Sequence, residues 1–215
     1  MPVPLVPVKA LAEAKGRLHP WLSPLERRLL AIAMFEDVVA ALQATPGLEA
    51  PLVVSSDPEM WRRAEAIGCR VVEEPAAGEG LNAALAAAAG SAAAGGDGGL
   101  LVVAADLPLA TAAGLGRVLE AAALAPVVVV PSHDGDGTNV LAWREPSSFQ
   151  PRFGPGSAAR HLAVPGAVRV DDPGLAMDVD TVEDLRLVAG RVDPAAVTGR
   201  RLRDLRLPAR LPETG

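Results

Sequence analysis

Three aspartates have the type and spacing for metal-assisted phosphate chemistry. Asp106 closes the apolar run LVVAADLP, while Asp178 and Asp180 stand one residue apart in MDVDT. In extended backbone, residues i and i+2 point to the same side. Adjacent carboxylates repel and raise one another's pKa unless a cation lies between them. Hard oxygen ligands of this kind suit Mg²⁺, which keeps waters and substrate phosphates among its ligands. Each aspartate alone also has an ordinary reading as the cap of a following helix. Together they describe a site for a metal-bound triphosphate.

Cations stand near the start of the chain. There are 18 Arg but only two Lys, Lys9 and Lys15. In a sequence that otherwise uses Arg, this pairing points to a site wanting compact ammonium groups. Lys9, Lys15, Gly16 and Arg17 lie after the first apolar run, where three cations and a glycine suit a triphosphate. The spacing is not that of the P-loop NTPases. Gly80-Leu81-Asn82 opens an Ala-rich stretch. Asn82 offers donors and an acceptor to a base or ribose, although Gly and Asn are also common at helix starts. A second anion site is expected where Phe153-Gly154-Pro155-Gly156-Ser157 runs into a short helix, with Thr138 adding a hydroxyl. Two anion sites flanking one metal imply transfer between two phosphorylated compounds. Asp106, Lys15 and Arg17 are the catalytic candidates. A phosphate oxygen is already ionised at neutral pH and needs no general base, so His133 and His161 are read as solvent-facing or structural.

The elements that must position these residues alternate. Leu5–Val8, Leu52–Ser55, Arg70–Val72, Leu100–Ala104 and Val127–Val130 are short, Val/Leu-rich and bounded by turn residues, as buried strands are. Helical spacing occupies 24–44, 58–67, 80–94 and 111–124, the first opened by Ser23-Pro24. Later come a strand at Asn139–Ala142, a short helix at 157–163, a strand at Ala167–Val170 and a helix at 181–190. This order predicts an α/β fold with a mixed, mainly parallel sheet, helices on both faces, and ligands beyond the carboxyl ends of the strands. From Arg191 onward, six Arg and three Pro read as a loosely packed tail. Its LPETG ending matches the sortase pentapeptide without the hydrophobic span such substrates need, so the match is read as coincidence or a scar.

Composition narrows the classes. The 215-residue chain carries a net charge of −6, three Trp, three Phe and no Tyr, which argues against a nucleic-acid binder. One cysteine, no signal peptide and no apolar span of membrane length predict a cytoplasmic protein.

Taken in order, KALAEAKGRL, GLNAAL, AADLP, DGTN, FGPGSAARH and MDVDT resemble the 2-phospho-L-lactate guanylyltransferase family over roughly residues 3–190. The actinobacterial branch of that family is a phosphoenolpyruvate guanylyltransferase of coenzyme F-420 biosynthesis. The resemblance implies a single GT-A-like nucleotidyltransferase domain at 1–190, followed by an Arg/Pro-rich C-terminal tail at 191–215. It implies transfer of GMP from GTP to the phosphate of phosphoenolpyruvate or 2-phospho-L-lactate, with release of pyrophosphate. Mg²⁺ would sit on Asp106, Asp178 and Asp180, and the phospho-acid on Thr138, Gly154 and Ser157. The nucleotide falls to Lys9, Lys15, Arg17, Gly80 and Asn82. A downstream lactyl-transferring enzyme is an implied partner, and a homodimer is compatible with the apolar Ala-rich helix. Two other readings remain: a sugar-phosphate nucleotidyltransferase or glycosyltransferase of the same fold, and a nucleotide-binding regulator without turnover.

Overall fold

The computed structural model describes residues 1–11, 15–73, 80–93, 98–207 and 209–211. Ala14 of the AKGRL run, Ala94 at the expected end of the Ala-rich helix and all but the first residue of LPETG lie outside them. The strands are β1 (Val3–Pro7), β2 (Leu52–Ser55), β3 (Arg70–Glu73), β4 (Leu100–Val103), β5 (Val127–Pro131), β6 (Thr138–Trp143) and β7 (Val168–Arg169). The helices are α1 (Pro24–Gln43), α2 (Pro58–Ala66), α3 (Gly80–Ala93), α4 (Ala112–Leu124), α5 (Ser157–Leu162), α6 (Val182–Ala189) and α7 (Val197–Asp204). Up to Arg191 the element types follow the sequence expectation, with boundaries shifted by at most two residues.

The sheet order is β3-β2-β1-β4-β6-β5-β7. All neighbouring pairs are parallel except those of β6, which runs antiparallel to β4 and β5. This one reversal matters for the site. The start of β6 meets the carboxyl ends of β1, β2 and β4, with Val140 opposite Val103. Thr138 and Asn139 thereby reach the edge where Asp106 leaves the sheet.

Side chains alternate across the strands with period two. Val6, Val53, Leu101, Val103, Val128 and Val140 pack beneath α1, α2 and α4, against Phe35, Val38, Met60 and Leu115. Leu5, Val54, Leu100, Val102, Val129 and Leu141 face α3 on the other side. There Ala84, Leu85, Ala88, Ala89 and Ala92 are buried, so the Ala-rich face belongs to the core. Small side chains let that helix lie close to the sheet. A third cluster joins Leu30 and Met34 of α1 to Leu185 and Val188 of α6 and Leu202 of α7.

The stretch after Arg191 differs from the loose tail expected of it. Residues 197–204 form α7, which packs on α1, and Leu202, Leu207 and Leu211 are buried. Arg200 and Arg203 are exposed, while Leu202 within the helix and Leu207 and Leu211 after it turn inward and supply an apolar face. No side chain of α7 caps its own N-terminus. Asp37 of α1 does so instead, accepting from the Val197 and Thr198 N–H groups at 2.8 Å each. Asp37→Ala removes both acceptors. It should lower unfolding stability by about 1–2 kcal/mol, measured by denaturant titration, and an unchanged midpoint would contradict the capping role.

Candidate active site

The first loop of the site is tied to its neighbours before it reaches the cleft. Val8 N–H donates to Val54 O at 2.9 Å and Leu11 N–H to the Asp57 carboxylate at 2.9 Å. After the segment outside the described residues the chain returns at Lys15, in left-handed backbone (φ 53°) that side-chain-bearing residues seldom adopt. A short 3-10 turn, Gly16–Leu18, follows and buries Leu18. Lys15 is itself nearly buried, its side chain 8% exposed.

Two carboxylates hold the Lys15 ammonium. It donates to Asp106, and to Asp180 at 3.1 Å. Burial alone would favour the neutral amine, but the charges of Asp106 and Asp180 outweigh it and keep the Lys15 pKa above its usual value. The backbone joins the same elements, with Val179 N–H donating to Asp106 O at 3.2 Å.

Thr111 caps α4, accepting from Gly114 N–H, so Asp106 is not spent there. Thr181 and Asp184 form the capping box of α6. Asp180 contributes only its N–H, donated to Asp184 at 3.0 Å, and its carboxylate is left for the cleft.

Asp178 lies beside this pair but faces other partners. The buried Asn139 amide donates to Asp178 Oδ1 at 3.0 Å and to the Leu175 and Ala176 carbonyls at 3.1 and 2.9 Å. His133 sits between Asp178 and Asp184, with nitrogen–oxygen distances of 3.6 and 3.3 Å. Burial pushes the Asp178 carboxyl above its usual pKa. The nearby Asp106 and Asp180 charges add to this, and the Asn139 hydrogen bond opposes it.

A cleft of about 1000 Å³ opens over Lys15, Asp106 and Asp180, with Lys9, Arg17, Gly80 and Thr138 also among its lining residues and Asp178 outside them. Lys9 and Arg17 are exposed and pair with no carboxylate among the described residues. Glu73 and Ser56 also line it, from the ends of β3 and β2.

Asn82, Gly154 and Ser157 are not part of that lining. Asn82 accepts from Phe153 N–H at 2.8 Å and donates to Phe153 O at 3.1 Å, a two-point clamp from α3 onto the Gly/Pro loop. Its polar groups are therefore used on the protein, where the sequence suggested a base or ribose.

The loop at 152–157 is similarly committed. Arg160 donates to the Arg152 carbonyl at 2.9 Å and the Pro155 carbonyl at 2.5 Å, drawing those dipoles toward its guanidinium. Gly154 (φ 117°) and Gly156 (φ 70°) supply the left-handed turns this path requires. Asp136 accepts from Gly156 N–H with its carboxylate at 2.9 Å and from Ala158 N–H with its carbonyl at 3.1 Å, while Ser157 N–H donates to Gly154 O at 3.0 Å. The helix start is thus less open than the sequence reading supposed. The Gly154 N–H and the Ser157 hydroxyl keep no partner among the described residues. Thr138 Oγ1 lies 3.0 Å from His161 Nδ1. Asn139, Asp136 and His161 were missed as site residues because their partners are distant in sequence, and Arg160 because nothing in its local pattern signals the carbonyls it gathers five to eight residues back.

Asn82→Ala should release the loop it clamps. Amide hydrogen exchange at 151–156 should rise about tenfold or more, as expected when a backbone segment loses its anchoring bonds. Unchanged protection there would show that the clamp is dispensable.

The profile of the family described as "Guanylyl transferase CofC like" matches residues 3–193. A phosphoenolpyruvate guanylyltransferase of Sphaerobacter thermophilus is 36% identical over 201 residues, covering 90% of this chain and 95% of that protein. One of Nocardia farcinica is 40% identical over 214 residues, covering 97% and 94%. The crystal structure of a nucleotide-diphospho-sugar transferase homologue from Desulfovibrio desulfuricans superposes with a TM-score of 0.77 at 18% identity, covering 95% of each chain. That likeness establishes the nucleotidyltransferase fold. Cover of nearly the whole chain by both the profile and the relatives places this protein in the CofC-like guanylyl transferase family.

Proposed function

We propose that this protein transfers a guanylyl group from GTP to the phosphate of phosphoenolpyruvate, or of 2-phospho-L-lactate, in the cytoplasm, with release of pyrophosphate. The observation that carries the reading is the Lys15 ammonium held between Asp106 and Asp180, in a cleft also lined by the cations Lys9 and Arg17 and by Thr138. Family membership supports the guanylyl group, and the relatives' activity supports phosphoenolpyruvate. Use of the product by a lactyl-transferring enzyme of coenzyme F-420 biosynthesis belongs to the same proposal.

Mg²⁺ is the proposed cofactor, and the donor set fits it. Asp106 and Asp180 already share one cation, the Lys15 ammonium, so their oxygens converge on a point suited to positive charge. Asp178 lies beside them as a third carboxylate, its pKa raised by burial first and then by the Asp106 and Asp180 charges. Among the described residues no group of three His, Cys, Asp or Glu is arranged to hold a metal by itself. The site therefore suits a hard cation that completes its shell with water and phosphate oxygens. When bound, that cation neutralises the triphosphate and increases the electrophilicity of its α-phosphorus.

The chain's own residues supply position and charge. Lys9 and Arg17 take the β- and γ-phosphates, and Lys15 turns from its carboxylates toward the α-phosphate. Gly80 lets the chain approach the nucleotide closely, and Asn82 acts from behind through the Phe153 backbone. The Thr138 hydroxyl, the Gly154 N–H and the Ser157 hydroxyl hold the acid. A non-bridging oxygen of the acid's phosphate attacks the α-phosphorus. The bond from that phosphorus to the bridging oxygen breaks, and its electron pair leaves with pyrophosphate. No proton need move, because the nucleophile is already ionised; alignment accounts for the rate.

Four nucleoside triphosphates tested against phosphoenolpyruvate, 2-phospho-L-lactate and 3-phosphoglycerate with Mg²⁺ should release pyrophosphate fastest for GTP with one of the first two acids. Release without any acid dependence would defeat the proposal. Asp106→Ala should lower turnover by about 10³-fold or more with the native circular dichroism spectrum retained, and near-normal turnover would remove Asp106 from the metal site.

A further inference from the structure

We propose that His161 is a positioning residue that makes the Thr138 hydroxyl an obligate hydrogen-bond donor to the anion of the phosphorylated acid. This rests on the acid-site reading above and adds a side chain that does not itself line the cleft. His161 is fully buried on α5, and both ring nitrogens are engaged. Arg152 N–H donates to Nε2 at 3.0 Å, so Nε2 carries no proton. The single proton of the neutral ring therefore sits on Nδ1, 3.0 Å from Thr138 Oγ1. Nδ1–H donates to that oxygen, and the hydroxyl's own hydrogen is left for another acceptor.

Among the described residues nothing accepts that hydrogen, and Thr138 lines the cleft. It is presented to whatever anion enters. The opposite tautomer would draw the threonine hydrogen onto Nδ1 and turn lone pairs toward the cleft, where they would repel a phosphate or carboxylate. The surroundings also keep the ring neutral. Burial first, then the Arg160 and Arg152 charges, push its pKa down to about 4. The Phe153 ring meets the imidazole edge-on, with centroids 5.0 Å apart, and restrains its plane.

Two substitutions separate this role from simple anchoring of the loop. Asn at position 161 places an amide nitrogen near Nδ1, keeping the donor to Thr138 and losing the acceptor for Arg152. Gln reaches the Nε2 end, keeping the acceptor and losing the donor. His161→Gln should raise the KM for phosphoenolpyruvate about tenfold, with kcat and the KM for GTP changed by about twofold at most. His161→Asn should stay within about threefold of the parent on all three, and His161→Gln should add nothing in a Thr138→Val background. The reverse ranking, equal loss in both variants, or loss in neither would overturn the proposal.

A second measurement needs no turnover. Long-range ¹H–¹⁵N correlation spectra of the unaltered protein should show His161 protonated at Nδ1, and protonation at Nε2 would overturn the proposal. If the unaltered protein guanylylates no phosphorylated acid, the functional reading falls, while the tautomer measurement still decides whether His161 donates to Thr138.

Discussion

The pairing of one buried ammonium with two carboxylates sets the geometry of the cleft. Lys15 is 91 residues from Asp106 and 165 from Asp180. Its contacts therefore bring together the loop after β1, the end of β4 and the segment before α6. An unpaired ammonium so deeply placed would favour its neutral form, and two facing carboxylates without it would repel. Held together, the three charges satisfy one another and offset the left-handed backbone at Lys15. The lysine marks a point between the aspartates that suits positive charge. A triphosphate carrying its own cation could then draw the ammonium onto its oxygens.

The opposite wall is built on a different principle. The loop at 152–157 contributes little through side chains of its own and is shaped by groups that grip its backbone. Asn82 holds Phe153 from α3, Asp136 holds Gly156 and Ala158 from the preceding loop, and Arg160 gathers carbonyls from within. Carbonyl dipoles drawn toward a guanidinium cannot face an anion, so the loop is relieved of part of its repulsion toward acidic ligands. Both walls meet because β6 runs against its neighbours and starts where they end. A fully parallel sheet would put Thr138 and Asn139 at the far edge.

Much of this was legible in the sequence. The strands announced themselves as short Val/Leu runs between turn residues because five of the seven are buried on both faces, and the capping signals at Ser23-Pro24 marked α1. Asp106, Asp178 and Asp180 could be singled out because carboxylates at strand ends and at i, i+2 spacing have few structural uses. Their partners could not be read. That Lys15 bridges two of them, and that Asn82 clamps the loop at Phe153, depends on contacts made only when distant segments meet. The arginines after residue 191 concealed α7, whose stability comes from Leu202 packing on α1 and from Asp37, a cap borrowed from another helix. Asp136 likewise occupies N–H groups that local pattern alone would leave open.

The central claim is that a bond forms between the α-phosphorus of a guanine nucleotide and the phosphate of a small acid. Phosphorus NMR of the protein with GTP, phosphoenolpyruvate and Mg²⁺, followed as the reaction proceeds, tests it directly. The account predicts a pair of mutually coupled diphosphate resonances from the joined α-phosphorus and acid phosphate, growing in step with pyrophosphate. Formation of GDP and inorganic phosphate, or of GMP and pyrophosphate with the acid's resonance unchanged, would contradict it.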